Sequence, residues 1–307
     1  MSGPERVAVT VGDRQLSVSN LDKVMYPLTG FTKAQVIDYY VRVAPVMLDH
    51  IGDRGITLRR WPDGVTGESF FEKRCPKHRP GWVSTCSGPG DRGGSIDYCR
   101  LDSVASLAWS ANLAALEIHA PMARCDDVDS PTMVVFDLDP GSPASIIECC
   151  RVALHIREIL SGVGLAAWAK TSGSKGLQLY VPLNRPHTHD HAAGFARAVA
   201  QLLEQRMPAE VVSVMKRSLR PNKVFIDWGQ NARFKTTIAP YSLRGRDHPT
   251  ASTPITWDEV SDGADGEPLV FTAPELLERV EKFGDLFAPT LTAEQNLPAP
   301  ASRKIAG

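Results

Sequence analysis

Val134-Val135-Phe136-Asp137-Leu138-Asp139-Pro140-Gly141 is the stretch on which the reading of this chain turns. Met133–Phe136 reads as a buried strand, and Asp137-Leu138-Asp139-Pro140-Gly141 as its stop. Alternate side chains of an extended segment share a side, so Asp137 and Asp139 point the same way. Two adjacent carboxylates repel unless something positive sits between them. A divalent ion, which takes oxygen ligands, is the natural candidate. A D-x-D alone is equally a turn-former. Asp227 adds weight, because it ends another apolar run, Lys223-Val224-Phe225-Ile226-Asp227. Three such acids can hold two ions about 3.5–4 Å apart. Gln230 and Asn231 just beyond, then Lys235, make this end polar and suited to phosphate.

Working outward, Ser142 reads as an N-cap with Pro143 at the first position of a helix to about Ser161, which Gly162 can end. Ala166–Lys170 and Leu177–Val181 read as strands around Thr171-Ser172-Gly173-Ser174-Lys175-Gly176. Glycines in such a loop expose backbone N–H groups as an anion nest, Lys175 adds a charge and Ser172 a hydroxyl. It is not a Walker loop, and an ordinary strand-to-strand turn has the same composition. A helix follows from about Asp190 to Arg206, with strands at Val224–Asp227 and Thr236–Tyr241. Arg244 and Arg246 in Ser242-Leu243-Arg244-Gly245-Arg246 stand two apart on an extended segment and suit a phosphate clamp, or else a solvated edge.

Upstream, Arg6–Asn20 reads as a hairpin turning at Gly12-Asp13. Thr32 caps a helix to about His50 with Val36, Tyr39, Tyr40 and Val43 on one face, and Pro45 is expected to bend or interrupt it. Gly52 to Gly94 suggests short strands and long loops, with Ser87–Gly94 a mobile loop. Leu101 to Glu117 is helical in pattern. After Pro298 the Pro/Ala-rich tail (299–307) is expected to be disordered. The chain has 307 residues, 43% hydrophobic and 22% charged, with net charge −1. These are the values of an ordinary soluble domain. No apolar run approaches a membrane span, and Met1–Val11 is unlike a signal peptide. Charge is nevertheless uneven. Between Ser213 and Arg246 eight Lys/Arg face only Asp227, which suits a site for phosphates and metal. Six cysteines (75, 86, 99, 125, 149, 150) follow no framework spacing, and the adjacent Cys149 and Cys150 in a helical pattern suit buried thiols in a reducing cytoplasm. Cys75, His78 and Cys86 lack the paired spacing of structural zinc sites. The whole reads as one α/β (α+β) unit over 1–298, an N-terminal α+β part to about 130 and a motif-bearing part from about 131.

Three blocks then stand in order: Val134–Gly141, Thr171–Tyr180 (TSGSKGLQLY) and Val224–Asn231 (VFIDWGQN). Around them lie Asn20–Pro27 (NLDKVMYP), Arg60–Gly64 (RWPDG), Phe70–Lys73 (FFEK), Ala115–His119 (ALEIH) and Thr236–Arg244 (TTIAPYSLR). Together they resemble the polymerase domain of bacterial DNA ligase D, in the archaeo-eukaryotic primase superfamily, from about Ser17 to Pro289. The resemblance implies a primase-type core of two small subdomains with the active site in the groove between them. It implies template-dependent nucleotide addition: primer extension, gap filling and end processing in repair such as non-homologous end joining. Asp137, Asp139 and Asp227 would hold the metals, manganese preferred and magnesium possible, and His119 would sit in the catalytic pocket. Ser172, Lys175, Gln178, Gln230, Arg244 and Arg246 would serve the nucleoside triphosphate, ribo or deoxy. Phe70 and Phe71 would stack on template or nucleotide bases; core packing is their other reading. Asn20, Lys23 and Lys33 would hold a 5′-phosphate of gapped or broken DNA. Partners implied are a DNA ligase and an end-binding protein, in a bacterial cytoplasm at the nucleoid. Family members usually carry His where this chain has Gln178, which exchanges a partly cationic donor for a neutral one. Without a ligase or nuclease signature the chain looks like a stand-alone relative or an excised domain. Two rivals start from the same residues: a phosphatase with Asp137 as nucleophile, and a non-catalytic end-binding module.

Overall fold

In the computed structural model, which describes residues 6–90 and 93–299, the strand Met133–Pro140 is central to a six-stranded sheet, the larger of the two main sheets beside three two-stranded ones. Across this sheet the order is Val211–Val212, Val224–Asp227, Met133–Pro140, Leu177–Pro182, Trp168–Thr171, Pro254–Ile255, antiparallel except for the first pair. Both acids lie inside the strand, not after it. Asp137 and Asp139 pair with Asp227 and Phe225 of the neighbouring strand, so the backbone goes on satisfying its hydrogen bonds past the expected stop.

Alternation along this strand separates structure from chemistry. Val134, Phe136 and Leu138 face a core closed by the helices Ile146–Gly162 and His189–Arg206. Val135, Asp137 and Asp139 face the other way. The first of these helices starts three residues later than Ser142-Pro143 suggested. Ser145 is the N-cap, and Glu148 returns a bond to its backbone N–H, a capping box that Ser142 cannot build.

A second sheet runs Thr236–Ile238, Ala115–Pro121, Thr57–Arg60, Phe70–Glu72, all antiparallel. It packs on the helices Lys33–Ile51 and Val104–Asn112. The first is capped by Thr32 with Gln35 and continues through Pro45, since Val43, Ala44, Met47 and Ile51 bury its face on both sides of the proline. The helical pattern expected over Leu101–Glu117 is shorter: Ala114 turns at φ 60° and Ala115, Leu116 and Glu117 are strand. That run is buried on every side, so no periodicity separates helix from strand. The N-terminal hairpin, Arg6–Val11 with Arg14–Ser19, is as expected.

Of Ser87–Gly94, the first three residues belong to the strand Thr85–Pro89, which pairs with Ser95–Cys99, and of the turn between the strands Asp91 and Arg92 lie outside the described residues. Residues 300–307 of the expected tail lie outside them too. The cysteine reading needs correction. Cys75 bonds Cys99 and Cys86 bonds Cys125, tying this hairpin down, while Cys149 and Cys150 are free and buried. Spacing concealed the pairs because folding, not sequence proximity, sets Cys75 and Cys125, which lie outside the strands, against Cys99 and Cys86 of the hairpin. Beyond the larger sheet the chain returns to the first core with Ala239, Tyr241, Leu243, Ala273 and Leu276. No helix among the described residues is long and apolar enough to cross a membrane.

Candidate active site

Strand register sets a row of four polar side chains across the larger sheet. Asp227 lies opposite Asp137, Asp137 opposite Gln178, and Gln178 opposite Lys170. Directly opposed residues share a face, so all four project from the side away from the helices. The Gln178 amide nitrogen donates to Asp137 Oδ1 at 2.9 Å, and its oxygen accepts from Lys170 Nζ at 2.5 Å and from the Tyr180 hydroxyl at 3.2 Å. Gln178 and Tyr180 thus face one way and Leu177 and Leu179 the other, as alternation predicts. Asp227 accepts from the Gly229 N–H at 3.1 Å and the Gln230 amide at 2.9 Å, ordering the turn that follows its strand.

Electrostatics in this row are unbalanced. Burial, then repulsion from Asp139, pushes the Asp137 carboxyl well above the usual carboxylate range. Burial and Asp227 raise Asp139 too, against the pull of Lys175, Arg220 and Arg244. Among the described residues no three His, Cys, Asp or Glu side chains form a ready-made metal cage. The acids are nonetheless near enough to oppose one another's ionisation.

Opposite the row stands the second sheet. The two enclose a cleft of about 210 Å³ lined by Asp137, Asp139, Gln178 and Gln230 from one side and by His119, Arg244 and Arg246 from the other, with Ser172 and Lys175 at its edge. Nine residues singled out in the sequence therefore meet in one cavity. The glycine loop is rigid in build: the Ser172 hydroxyl accepts from the N–H groups of Ser174 and Gly176. Gly173 sits at φ +67° with the Ala251 backbone 2.6 Å from where a Cβ would be, so only glycine fits.

Glu117, which sequence reasoning gave no role, organises the far wall. It is fully buried and accepts from His119 Nε2 at 2.9 Å and the Gly245 N–H at 3.2 Å. It pairs with Arg244 Nε at 3.1 Å and Arg59 at 3.6 Å. Burial opposes its charge, but the His119 hydrogen bond and the arginines hold its carboxyl down at about 2. Burial depresses the His119 pKa, so a neutral imidazole donates from Nε2. Three tyrosines fix the backbone of the arginine segment: Tyr39 donates to the Tyr241 carbonyl at 2.6 Å, Tyr26 to the Arg244 carbonyl at 2.8 Å, and Tyr40 accepts from the Leu243 N–H at 3.1 Å. A glutamate inside the apolar run Ala114–Ile118 was the signal for Glu117. Lys170, a lone cation in a buried strand, was also passed over.

Phe70 and Phe71 lie outside the cavity at the edge of the second sheet, 44% and 55% exposed, which rules out the core-packing reading. Phe71 meets His119 edge-on at 5.4 Å and carries the Arg59 guanidinium at 5.2 Å. Asn20, Lys23 and Lys33 are elsewhere again. Asn20 and Lys23 line a separate surface cleft, with Asn20 at φ 54°. Lys33 is buried and donates to the Ser19 carbonyl at 2.7 Å; burial, then Lys23 and Arg60, lower its pKa to about 8.

Acids facing arginines across one cleft are the groups that metal-assisted phosphoryl chemistry uses. Comparison with known proteins gives that chemistry a family. The model of the LigD primase-polymerase domain matches residues 32–287, and the chain belongs to that family. It is 47% identical over 277 residues to the multifunctional non-homologous end joining protein LigD of Mycolicibacterium smegmatis, covering 90% of this chain and 36% of that protein. Its identity to the Mycobacterium tuberculosis LigD is 45%, over 90% of this chain and 37% of the relative. The chain thus spans about a third of the curated relatives it matches. Among solved structures it resembles the polymerase domain of M. tuberculosis ligase D in complex with DNA: TM-score 0.85, 43% identity, 91% of this chain and 99% of that one. Family membership sets aside the aspartate-nucleophile phosphatase.

Proposed function

We propose that this chain adds nucleotides to the 3′ end of a primer at gapped or broken DNA during non-homologous end joining. The observation that carries the reading is the register row Asp227–Asp137–Gln178, of which Asp137 and Gln178 line one cleft with Arg244 and Arg246 while Asp227 stands beside Asp137 outside its lining. The names of the relatives, and the DNA in the solved relative, support the repair context.

The donor set fits a hard divalent cation: carboxylate oxygens on one sheet face, with burial and then mutual repulsion raising the pKa of two of them. Asp137, Asp139 and Asp227 would hold it, manganese by preference, and when bound it lowers the pKa of the primer hydroxyl and neutralises triphosphate charge. Arg244, Arg246 and Lys175 bind the triphosphate, ribo or deoxy, as charged donors, with Gln230 and the loop N–H groups around Ser172 beside them. His119, neutral and held by Glu117, offers a fixed edge of the pocket to the nucleotide. Phe70 and Phe71 take base faces at the rim. Asn20, Lys23 and Lys33 take the 5′-phosphate of the downstream strand. A DNA ligase and an end-binding protein are the partners such a product requires.

Primer extension on gapped DNA tests the site. Asp137→Ala or Asp139→Ala should abolish nucleotide addition while DNA affinity, measured by gel shift, stays within about threefold of wild type, because removing a carboxylate leaves the phosphate contacts in place. Extension by either variant at near wild-type rate would overturn the reading.

A further inference from the structure

We propose that Lys170 is a positioning residue: it fixes the orientation of the Gln178 side-chain amide and through it the carboxylate of Asp137. The inference rests on the reading of Asp137 as a metal-holding acid. Lys170 is fully buried in the strand Trp168–Thr171. Its ammonium meets two uncharged oxygens, Gln178 Oε1 at 2.5 Å and Ser252 Oγ at 2.8 Å. The Ser252 hydroxyl proton is already given to the Thr171 carbonyl at 2.8 Å, so a lone pair faces the ammonium.

Burial lowers the Lys170 pKa while the neighbouring Asp137 raises it; in its ammonium form Lys170 has three donors and no acceptor. A side-chain amide has two faces of opposite sense and a low barrier to choosing between them. With Lys170 on one side, only the amide oxygen can face it, and the nitrogen must then face Asp137, where it donates at 2.9 Å. A flipped amide would set NH₂ against ammonium and carbonyl oxygen against carboxylate, making both contacts repulsive. Tyr180 reinforces the choice by donating to the same oxygen, its hydroxyl being held in turn by Thr237 Oγ1 at 2.8 Å. The direction of every bond from Ser252 to Asp137 thus follows from one residue that can only donate. Burying a cation among neutral partners is costly, and an apolar side chain of like volume would serve packing alone as well or better. What Lys170 supplies is polarity: it keeps a donor, and never an acceptor, against the acid that must stay charged.

The test is a double-substitution cycle on the full chain: wild type, Lys170→Met, Gln178→Met and both together, with Asp137→Ala as control. Two readouts are taken. One is kcat and KM for the nucleotide in primer extension with Mn²⁺. The other needs no metal: the Gln178 side-chain amide signal of ¹⁵N-glutamine-labelled protein, identified by its loss in Gln178→Met. Lys170→Met should lower kcat about tenfold with KM changed less than twofold, and should shift or broaden the amide signal. In the Gln178→Met background the same substitution should cost less than twofold. Lys170→Arg, also donor-only, should restore a single sharp amide signal and most of kcat. If Lys170→Met does not fold, Lys170→Gln, whose amide can present oxygen, takes its place. Equal losses in both backgrounds, or an unchanged amide signal, overturn the inference while Asp137→Ala remains inactive. An active Asp137→Ala overturns instead the reading of the site.

Discussion

At the scale of residues, the site depends on buried charges held by partners from other strands. Glu117 has the lowest-lying carboxyl described above, about 2 against an ordinary 4.5. A folded-state pKa below the unfolded one contributes stability that is full above about pH 4.5 and is lost as pH falls toward 2. A shift of that size is worth about 3 kcal/mol. Glu117→Gln should therefore lower the unfolding free energy by roughly that amount at pH 7 in denaturant titrations. The gap from wild type should narrow by more than half between pH 5 and pH 3, and a gap constant with pH would mean that charge is not the source. At Gln178 the expectation is tolerance. An imidazole can accept from Lys170 at one nitrogen and donate to Asp137 from the other, so Gln178→His should keep kcat/KM for nucleotide addition within about fivefold of wild type. A hundredfold loss would show that the amide geometry itself is needed. Motifs made Asp137, Asp139, Asp227 and the arginines legible, because their chemistry is local to a short stretch. Glu117 and Lys170 were not, since each depends on a distant segment, Lys170 on Ser252, 82 positions on, and Glu117 on Gly245, 128 positions on.

At the scale of elements, period and capping carried most of the reading. Helix Lys33–Ile51 and the N-terminal hairpin were plain because one face is buried and the other wet. Where every side is buried, as at Leu107–Ile118, or where pairing continues past polar residues, as at Asp137–Pro140, only the neighbouring strand decides. The start of helix Lys33–Ile51 also places Lys33 beside Lys23, two amines with one carboxylate between them: Lys23 has Asp63 at 3.0 Å, and Lys33 a carbonyl. An anion there would relieve their repulsion. The protein should bind gapped DNA bearing a 5′-phosphate more tightly than the dephosphorylated form at low salt, and Lys33→Ala should reduce that preference about tenfold. Equal affinities of wild type for both DNAs, by fluorescence anisotropy, would return the lysines to a structural role.

At the scale of the whole molecule, the four bonded cysteines predict a simple count. Thiol titration of the unfolded, unreduced protein should find two reactive groups, Cys149 and Cys150, and none before unfolding. Six would mean that the pairs do not form in the isolated protein. The chain's return to its first core has a further consequence, in time rather than in space. That core draws on residues 16–120 and again on 239–277. During synthesis at about 5–20 residues per second, its early part waits on the order of 10–30 s for the rest. The row from Lys170 to Asp227 is complete by residue 227, before Arg244 has been made. A ribosome that stalls in this interval leaves a fragment with every acid and no clamp, its first core still open, and such a fragment is expected to add no nucleotides.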